Sequence, residues 1–109
     1  MASTRLAPPI AAYIAAANAQ DIDAATGCFA SSAVVRDEQQ DRRGIAAIRE
    51  WAEEVSKKYR PTVEVLGADT DGETILLRGR VSGDFPGSPV ELRYAFKLKD
   101  GKIEWLEIR

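Results

Sequence analysis

The sequence contains no histidine. This absence excludes the Ser-His and Cys-His pairs of nucleophilic hydrolases, acid–base chemistry by imidazole, and the usual zinc sites. The Asp and Glu residues that remain show no cluster with the spacing of metal ligands. We therefore expect no metal site, and we expect any acid–base chemistry to depend on carboxylates or phenols.

Cysteine is almost absent as well. The single residue, Cys28, excludes a disulfide within the chain, as is usual for proteins of a reducing compartment. Long apolar runs are also missing: none reaches the length that spans a membrane, and residues 1–9 lack the apolar stretch of a signal peptide. These features predict a cytoplasmic protein without a membrane partner.

Basic residues are not in excess. The chain has 15 Lys and Arg against 17 Asp and Glu, and its formal net charge is -2. Nucleic-acid binding requires clustered basic residues, so we expect no nucleic-acid partner. The length of 109 residues and a hydrophobic content of 45% predict one domain, residues 1–109, with a core of its own.

The first half of the chain has apolar residues at helical spacing. One apolar stripe over residues 6–17 predicts a helix, and we interpret Asn18 as its C-terminal cap. Asp21 has the position of an N-cap for a short second helix that ends at Phe29. Another apolar stripe over residues 45–59 predicts a long helix that stops before a proline.

The strand pattern begins between these helices and dominates the second half. We expect a turn at residues 31–32, a strand at 33–37, and a polar connection at 38–43 that can include a short edge strand. From residue 63 onward the apolar period is 2, which predicts about four strands separated by turn signals. The strongest turn signal is Asp100-Gly101. Helices on one side of an antiparallel sheet indicate an α+β fold.

Several segments together resemble a known family. Tyr13, Phe29 and residues 18–23, 33–37 and 44–51 resemble the SnoaL-like group of the nuclear transport factor 2-like superfamily, and within it the ketosteroid isomerases. The resemblance implies a cone-shaped fold with three N-terminal helices against a curved antiparallel sheet. It also implies a homodimer through the outer face of the sheet, and a pocket for a small apolar or carbonyl-containing ligand.

The same resemblance implies roles for individual residues. Asp37 matches the carboxylate that moves a proton beside a ketone, and Tyr13 matches the phenol that donates to the developing oxyanion. Tyr94 stands where the isomerases have a protonated aspartate. These matches imply isomerase, cyclase or dehydratase chemistry without a cofactor. Other side chains expected to line the pocket are Trp51, Phe29, Phe96 and Val35.

Each of these residues also has a structural interpretation. Asp37 could be a strand-end acid paired with Arg36, Arg42 or Arg43. A tyrosine on an apolar helix face or in an alternating strand is often a core residue, and this applies to Tyr13 and Tyr94. With those roles the chain would be a non-catalytic ligand-binding or dimerisation module of the same fold.

Overall fold

The computed structural model describes residues 6–109, so residues 1–5 of the predicted domain lie outside the described residues. The described part contains three helices and six strands. In chain order they are α1 (Pro8–Asn18), α2 (Ile22–Thr26), β1 (Phe29–Asp37), β2 (Gln40–Arg43), α3 (Ile45–Tyr59), β3 (Thr62–Asp71), β4 (Thr74–Ser82), β5 (Val90–Lys99) and β6 (Lys102–Ile108).

The six strands form one open, curved sheet in the order β2-β1-β6-β5-β4-β3. Neighbouring strands are antiparallel except β1 and β6, which are parallel. The expectation of a purely antiparallel sheet was therefore wrong at this one pair. A parallel pair needs a long crossover, and here α3 together with β3, β4 and β5 provides it. Register shifts in three of the pairings bend the strands locally.

The helices do not form one N-terminal block. The β1–β2 hairpin separates α2 from α3, so the chain enters the sheet before its longest helix begins. The architecture is α+β, as the period change predicted. None of the helices in residues 6–109 combines the length and the apolar character needed to cross a bilayer.

Strand β1 begins earlier than the sequence indicated. Phe29 is its first residue rather than the end of a helix, and Ser31 and Ser32 lie in the strand rather than in a turn. Phe29 pairs with Ile103 of β6, and the register shifts before Val34 pairs with Trp105. Ser31 and Ser32 are exposed and lie within this irregular stretch of the strand.

Two local predictions are confirmed by backbone geometry. The side chain of Asp21 accepts a hydrogen bond from the Ala24 N–H at 3.1 Å, which makes it the N-cap of α2. Asp100 and Gly101 both have positive φ, 51° and 76°, and turn β5 into β6. These angles are those of the two-residue hairpin turns for which Asp-Gly is preferred.

The core lies between the helices and the concave face of the sheet. α1 contributes Ile10, Tyr13 and Ile14, α3 contributes Ile48 and Trp51, and the strands complete it. The fully buried large side chains are Phe96, Ile10, Ile48, Leu77, Ile103, Leu106 and Val35. Because this core does not fill the whole space under the sheet, a cavity remains beside it.

Candidate active site

A cavity of about 280 Å³ lies between the three helices and the concave face of the sheet. Its walls are mostly apolar, with side chains such as Val55, Val63 and Val90. Its size is just below the usual range of pockets for drug-sized ligands. The polar and aromatic residues in its lining are Tyr13, Gln20, Asp21, Asp37, Glu38, Trp51, Ser56, Tyr59, Phe85 and Tyr94.

Asp37 is the last residue of β1 and lines this cavity. The indole N–H of Trp51, on α3, donates a hydrogen bond to its Oδ2 at 2.9 Å. Burial raises the pKa of the Asp37 carboxyl above its usual value of 3.8, while the Trp51 hydrogen bond acts in the opposite direction. The indole fixes one carboxylate oxygen, the Glu38 backbone also favours the ionised carboxyl, and Oδ1 has no side-chain partner among the described residues.

The hairpin after Asp37 determines which charges lie near it. Glu38 and Gln39 both have positive φ, 53° and 64°, so β1 reverses directly into β2. Arg36 points away from Asp37 because successive strand residues face opposite sides, and it binds Asp41 at 2.7 Å. Arg43 also binds Asp41, at 3.3 Å.

These contacts answer the question that the sequence left open for Asp37. Within residues 6–109, Asp37 forms no salt bridge, because Arg36 and Arg43 both form salt bridges with Asp41 instead. Arg42 lies near enough to lower the Asp37 pKa slightly, but the buried Nε of Arg42 has no hydrogen-bond partner. Asp37 is therefore a partly buried carboxylate whose side-chain partner is an indole.

Two phenols share the cavity with Asp37. Tyr13 of α1 is 6% exposed and Tyr94 of β5 is 5% exposed. Their rings pack on Phe96, with centroids 6.2 Å away in each case. Neither hydroxyl has a hydrogen-bond partner in the part of the chain that the structure describes. Burial, together with the Asp37 charge, raises the pKa of both phenols, so both remain neutral donors.

The position of Tyr94 depends on a glycine that sequence reasoning missed. Gly79 lies on β4 beside Leu92 of β5. A Cβ atom at Gly79 would come within 2.8 Å of a Val63 methyl carbon and 3.2 Å of the Tyr94 ring. Gly79 therefore leaves the space that the ring and the cavity wall need.

Two amide side chains after the apolar part of α1 bind residues that line the cavity, and the sequence did not indicate these contacts. We had expected Asn18 to cap α1, and this expectation was wrong. The Asn18 amide group donates to the Val63 carbonyl at 3.0 Å and accepts from the Val63 N–H at 2.7 Å, as a paired strand would. Gln20 donates to the Pro61 carbonyl at 2.9 Å and accepts from the Ser56 hydroxyl.

Three residues expected to line the pocket lie elsewhere. Phe29, Phe96 and Val35 are at most 4% exposed and belong to the core cluster rather than to the cavity wall. Phe29 packs edge-on against Tyr13 with ring centroids 5.4 Å apart. Phe29 and Phe96 support the cavity from behind, because both pack against tyrosines that line it.

The donor atoms around the cavity are carboxylates, hydroxyls and amides. Within residues 6–109, no group of three or more Cys, Asp or Glu side chains is placed to hold a metal ion. The cavity contains no glycine-rich phosphate cradle, since its lining includes no glycine. Function without a cofactor remains a prediction.

Comparison with known proteins identifies the family. The sequence pattern of the SnoaL-like domain matches residues 10–105. The chain belongs to the SnoaL-like family. None of the curated proteins compared with this SnoaL-like domain matches it significantly.

Solved structures agree with this assignment. The domain is 41% identical to a proposed polyketide cyclase from Sinorhizobium meliloti, with a TM-score of 0.91 and 95% of each chain covered. A protein with a ketosteroid isomerase-like fold from Catenulispora acidiphila, in complex with trimethylamine, is 16% identical; the TM-score is 0.83, and 98% and 86% of the two chains are covered. SalBIII, an epoxide hydrolase/cyclase-like enzyme of salinomycin pyran ring formation, is 22% identical with a TM-score of 0.74, covering 92% and 85%.

Proposed function

We propose that this SnoaL-like domain binds a small carbonyl-containing ligand and moves a proton next to the carbonyl, without a cofactor. Asp37 is the proposed base, and the hydroxyls of Tyr13 and Tyr94 are the proposed hydrogen-bond donors. The reaction class is that of an isomerase, cyclase or dehydratase.

One observation carries this proposal. The Asp37 carboxylate lines an apolar cavity, is held by the Trp51 indole rather than by an arginine, and shares the cavity with two phenols that have no partner in the described residues. A general base needs a free acceptor oxygen, and burial brings its pKa closer to the operating pH. Neutral phenols can stabilise negative charge that develops on a carbonyl oxygen.

In the proposed step, the proton and the electron pair move only between the ligand and Asp37. The carboxylate takes a proton from the carbon beside the carbonyl, the C–H bond breaks, and its electron pair moves into the carbonyl group. The resulting enolate oxygen accepts hydrogen bonds from Tyr13 or Tyr94. In an isomerisation, protonated Asp37 then returns the proton to a different carbon. In a cyclisation, the enolate carbon attacks a second carbonyl carbon of the same ligand, the π electrons of that carbonyl move to its oxygen, and protonated Asp37 gives this oxygen the proton.

Carbonyl chemistry has more support here than epoxide opening. The Sinorhizobium protein, at 41% identity, is a proposed polyketide cyclase, and Asp37 with two phenols in one cavity suits proton removal beside a carbonyl. An epoxide hydrolase site would need an arginine on the cavity wall. Arg78, Arg80 and Arg93 are exposed and are not part of the lining.

The non-catalytic alternative receives less support. It requires Asp37 to be paired with an arginine and the cavity to be filled by Trp51, Tyr94 and Phe96. Arg36 and Arg43 bind Asp41 instead, and about 280 Å³ remains open beside Trp51 and Tyr94. A ligand-binding role without a reaction stays the second candidate because a formed cavity by itself serves binding equally well.

We also propose that the domain forms a homodimer through the convex face of the sheet. This face carries Leu76, which is 42% exposed, and Trp105, whose ring lies 5.8 Å from the Arg36 guanidinium carbon. Large apolar side chains on an otherwise charged sheet face suit burial against a second copy. A dimer would leave the cavity, on the opposite face, unchanged.

Deuterium exchange tests the proposed reaction. Small enones and ketones are incubated in D2O with the wild-type protein, and loss of the α-proton signal is followed by NMR. Asp37→Asn should abolish the catalysed exchange, while Asp69→Asn serves as the matched control because Asp69 is exposed on β3 and lies outside the cavity lining. Tyr13→Phe and Tyr94→Phe should each slow exchange without abolishing it, because the proposed base, Asp37, is still present.

A further inference from the structure

The charges in the cavity lining have one sign only. Among the described residues, the lining contains the carboxylates of Asp21, Asp37 and Glu38 and no lysine or arginine. Asp21 also caps α2, and Glu38 is exposed at the rim, so Asp37 is the deepest of the three. An anionic ligand entering this cavity would meet repulsion from these carboxylates, which no cation of the lining offsets and which Arg42, outside the lining, only weakens.

Two arginines of β1 and α3 form salt bridges with acids that do not line the cavity. Arg36 binds Asp41 and Arg49 binds Asp23, both outside the lining. Arg42 weakens the negative field near Asp37 without a salt bridge to it. A partly buried carboxylate that lacks a cationic partner is costly, so a ligand that supplies the positive charge gains binding energy there.

The walls of the cavity are also suited to a cation. Tyr13, Trp51, Tyr59, Phe85 and Tyr94 contribute aromatic surface to the lining. Aromatic rings attract an alkylated ammonium group through their negative faces, and the attraction grows when water is excluded. The volume of about 280 Å³ limits the ligand to a small one.

We propose that the cavity selects ligands by charge, binding a small tertiary or quaternary ammonium compound in preference to a neutral or anionic compound of the same shape. The selectivity comes from Asp37 together with the aromatic lining. This inference goes beyond the proposed proton transfer, because it concerns binding and holds whether or not the domain catalyses a reaction. A bound ammonium group beside Asp37 would compete with a carbonyl ligand for the same space.

The preference depends on the ionisation of Asp37. The groups facing its carboxyl are Tyr13 from α1, Trp51 from α3, Tyr94 from β5, Arg42 from β2 and Glu38 from the following turn. The phenols stay neutral because burial raises their pKa. Acidification through the raised pKa of Asp37 should therefore remove the preference for a cation.

Three ligands of closely similar shape provide the test: choline, 3,3-dimethylbutan-1-ol and 3,3-dimethylbutanoate, which are cationic, neutral and anionic. Binding is followed by two-dimensional ¹H–¹⁵N NMR, and the chain has two tryptophans as reporters. The Trp51 indole signal reports the cavity, and the Trp105 signal reports the convex face of the sheet.

We expect choline to shift the Trp51 signal and to bind at least about tenfold more tightly than the alcohol, with the carboxylate weakest. Asp37→Asn should reduce the choline preference to within about threefold, and Asp69→Asn, outside the cavity, should retain it. The wild type at acidic pH, where Asp37 is protonated, should likewise lose its preference for choline over the alcohol.

Three outcomes would overturn the inference. They are equal or tighter binding of the alcohol, a choline preference that survives both Asp37→Asn and acidification, and no response of Trp51 to choline at tens of millimolar. Loss of α-proton exchange in the reaction assay would leave this result unaffected, since the binding assay contains no carbonyl ligand.

Discussion

Replacing Trp51 with phenylalanine removes the indole N–H that holds Asp37 and keeps an aromatic ring in the cavity wall. A hydrogen bond to a charged group contributes about 1.5–3 kcal/mol. Water entering the open cavity would replace part of this contribution, so we expect the carboxylate to lose about 1 kcal/mol of stabilisation. The pKa of Asp37, already raised by burial, should therefore rise further in Trp51→Phe.

The titration is measured by carbon-13 NMR of the Asp37 side-chain carboxyl in the folded protein. The midpoint in Trp51→Phe should lie above the wild-type midpoint, and Trp105→Phe should leave it unchanged because Trp105 lies on the opposite face of the sheet. An unchanged or lower midpoint in Trp51→Phe would refute the claim that the indole stabilises the ionised carboxylate.

The same shift has a consequence for stability. Since the folded-state pKa of Asp37 lies above its ordinary value of 3.8, the folded state holds more protons than the unfolded state between these two values. Its contribution to the free energy of unfolding is therefore greatest below 3.8 and falls as pH rises through the folded pKa. Urea denaturation across this range should show a larger fall in Trp51→Phe and none from this source in Asp37→Asn.

Three further substitutions test the surroundings of the site. Asn18→Ala removes both hydrogen bonds to the Val63 backbone and should lower the free energy of unfolding by about 1–3 kcal/mol in urea denaturation. Gly79→Ala places a methyl group against the Tyr94 ring, and should cost about 1–3 kcal/mol and perturb the NMR signals of that ring. Trp105→Arg should convert the proposed homodimer to a monomer in light scattering.

Each of these has an outcome that would count against it. Glu64→Gln, which breaks only an exposed ion pair with Arg80, should change stability by less than about 1 kcal/mol; an equal effect of Asn18→Ala would contradict the strand-like pairing. Unchanged NMR signals of the Tyr94 ring in Gly79→Ala would contradict the claim that the ring needs the space beside Gly79. A wild-type mass of one chain at micromolar concentration would contradict the dimer.

The sequence predicted the helices and strands well where a periodic pattern had a local chemical signal beside it. The Asp21 cap and the Asp100-Gly101 turn are set by neighbouring backbone groups, so they can be recognised without tertiary information. The start of β1 was missed because it depends on pairing with β6 across most of the chain. The same long-range pairing explains the unexpected parallel strands.

The candidate site was predictable only in part, because several of its contacts also depend on residues that are far apart in the chain. The family resemblance identified Asp37, Tyr13 and Tyr94, and all three line one cavity. It could not indicate that Asp41 binds the neighbouring arginines, nor that Asn18 pairs with the edge of β3. Phe29, Phe96 and Val35 were expected in the pocket wall and lie in the core instead, because a sequence does not distinguish an apolar cavity wall from the core behind it.

The rate of α-proton exchange in Asp37→Asn, relative to wild type, tests the central claim most directly. General acid–base catalysis contributes about 100- to 10,000-fold to a rate. For a small enone or ketone that the cavity binds, we therefore expect the substitution to slow catalysed exchange by at least about 100-fold, with Asp69→Asn, outside the cavity lining, close to wild type. Equal exchange by wild type and Asp37→Asn would contradict the assignment of Asp37 as the base.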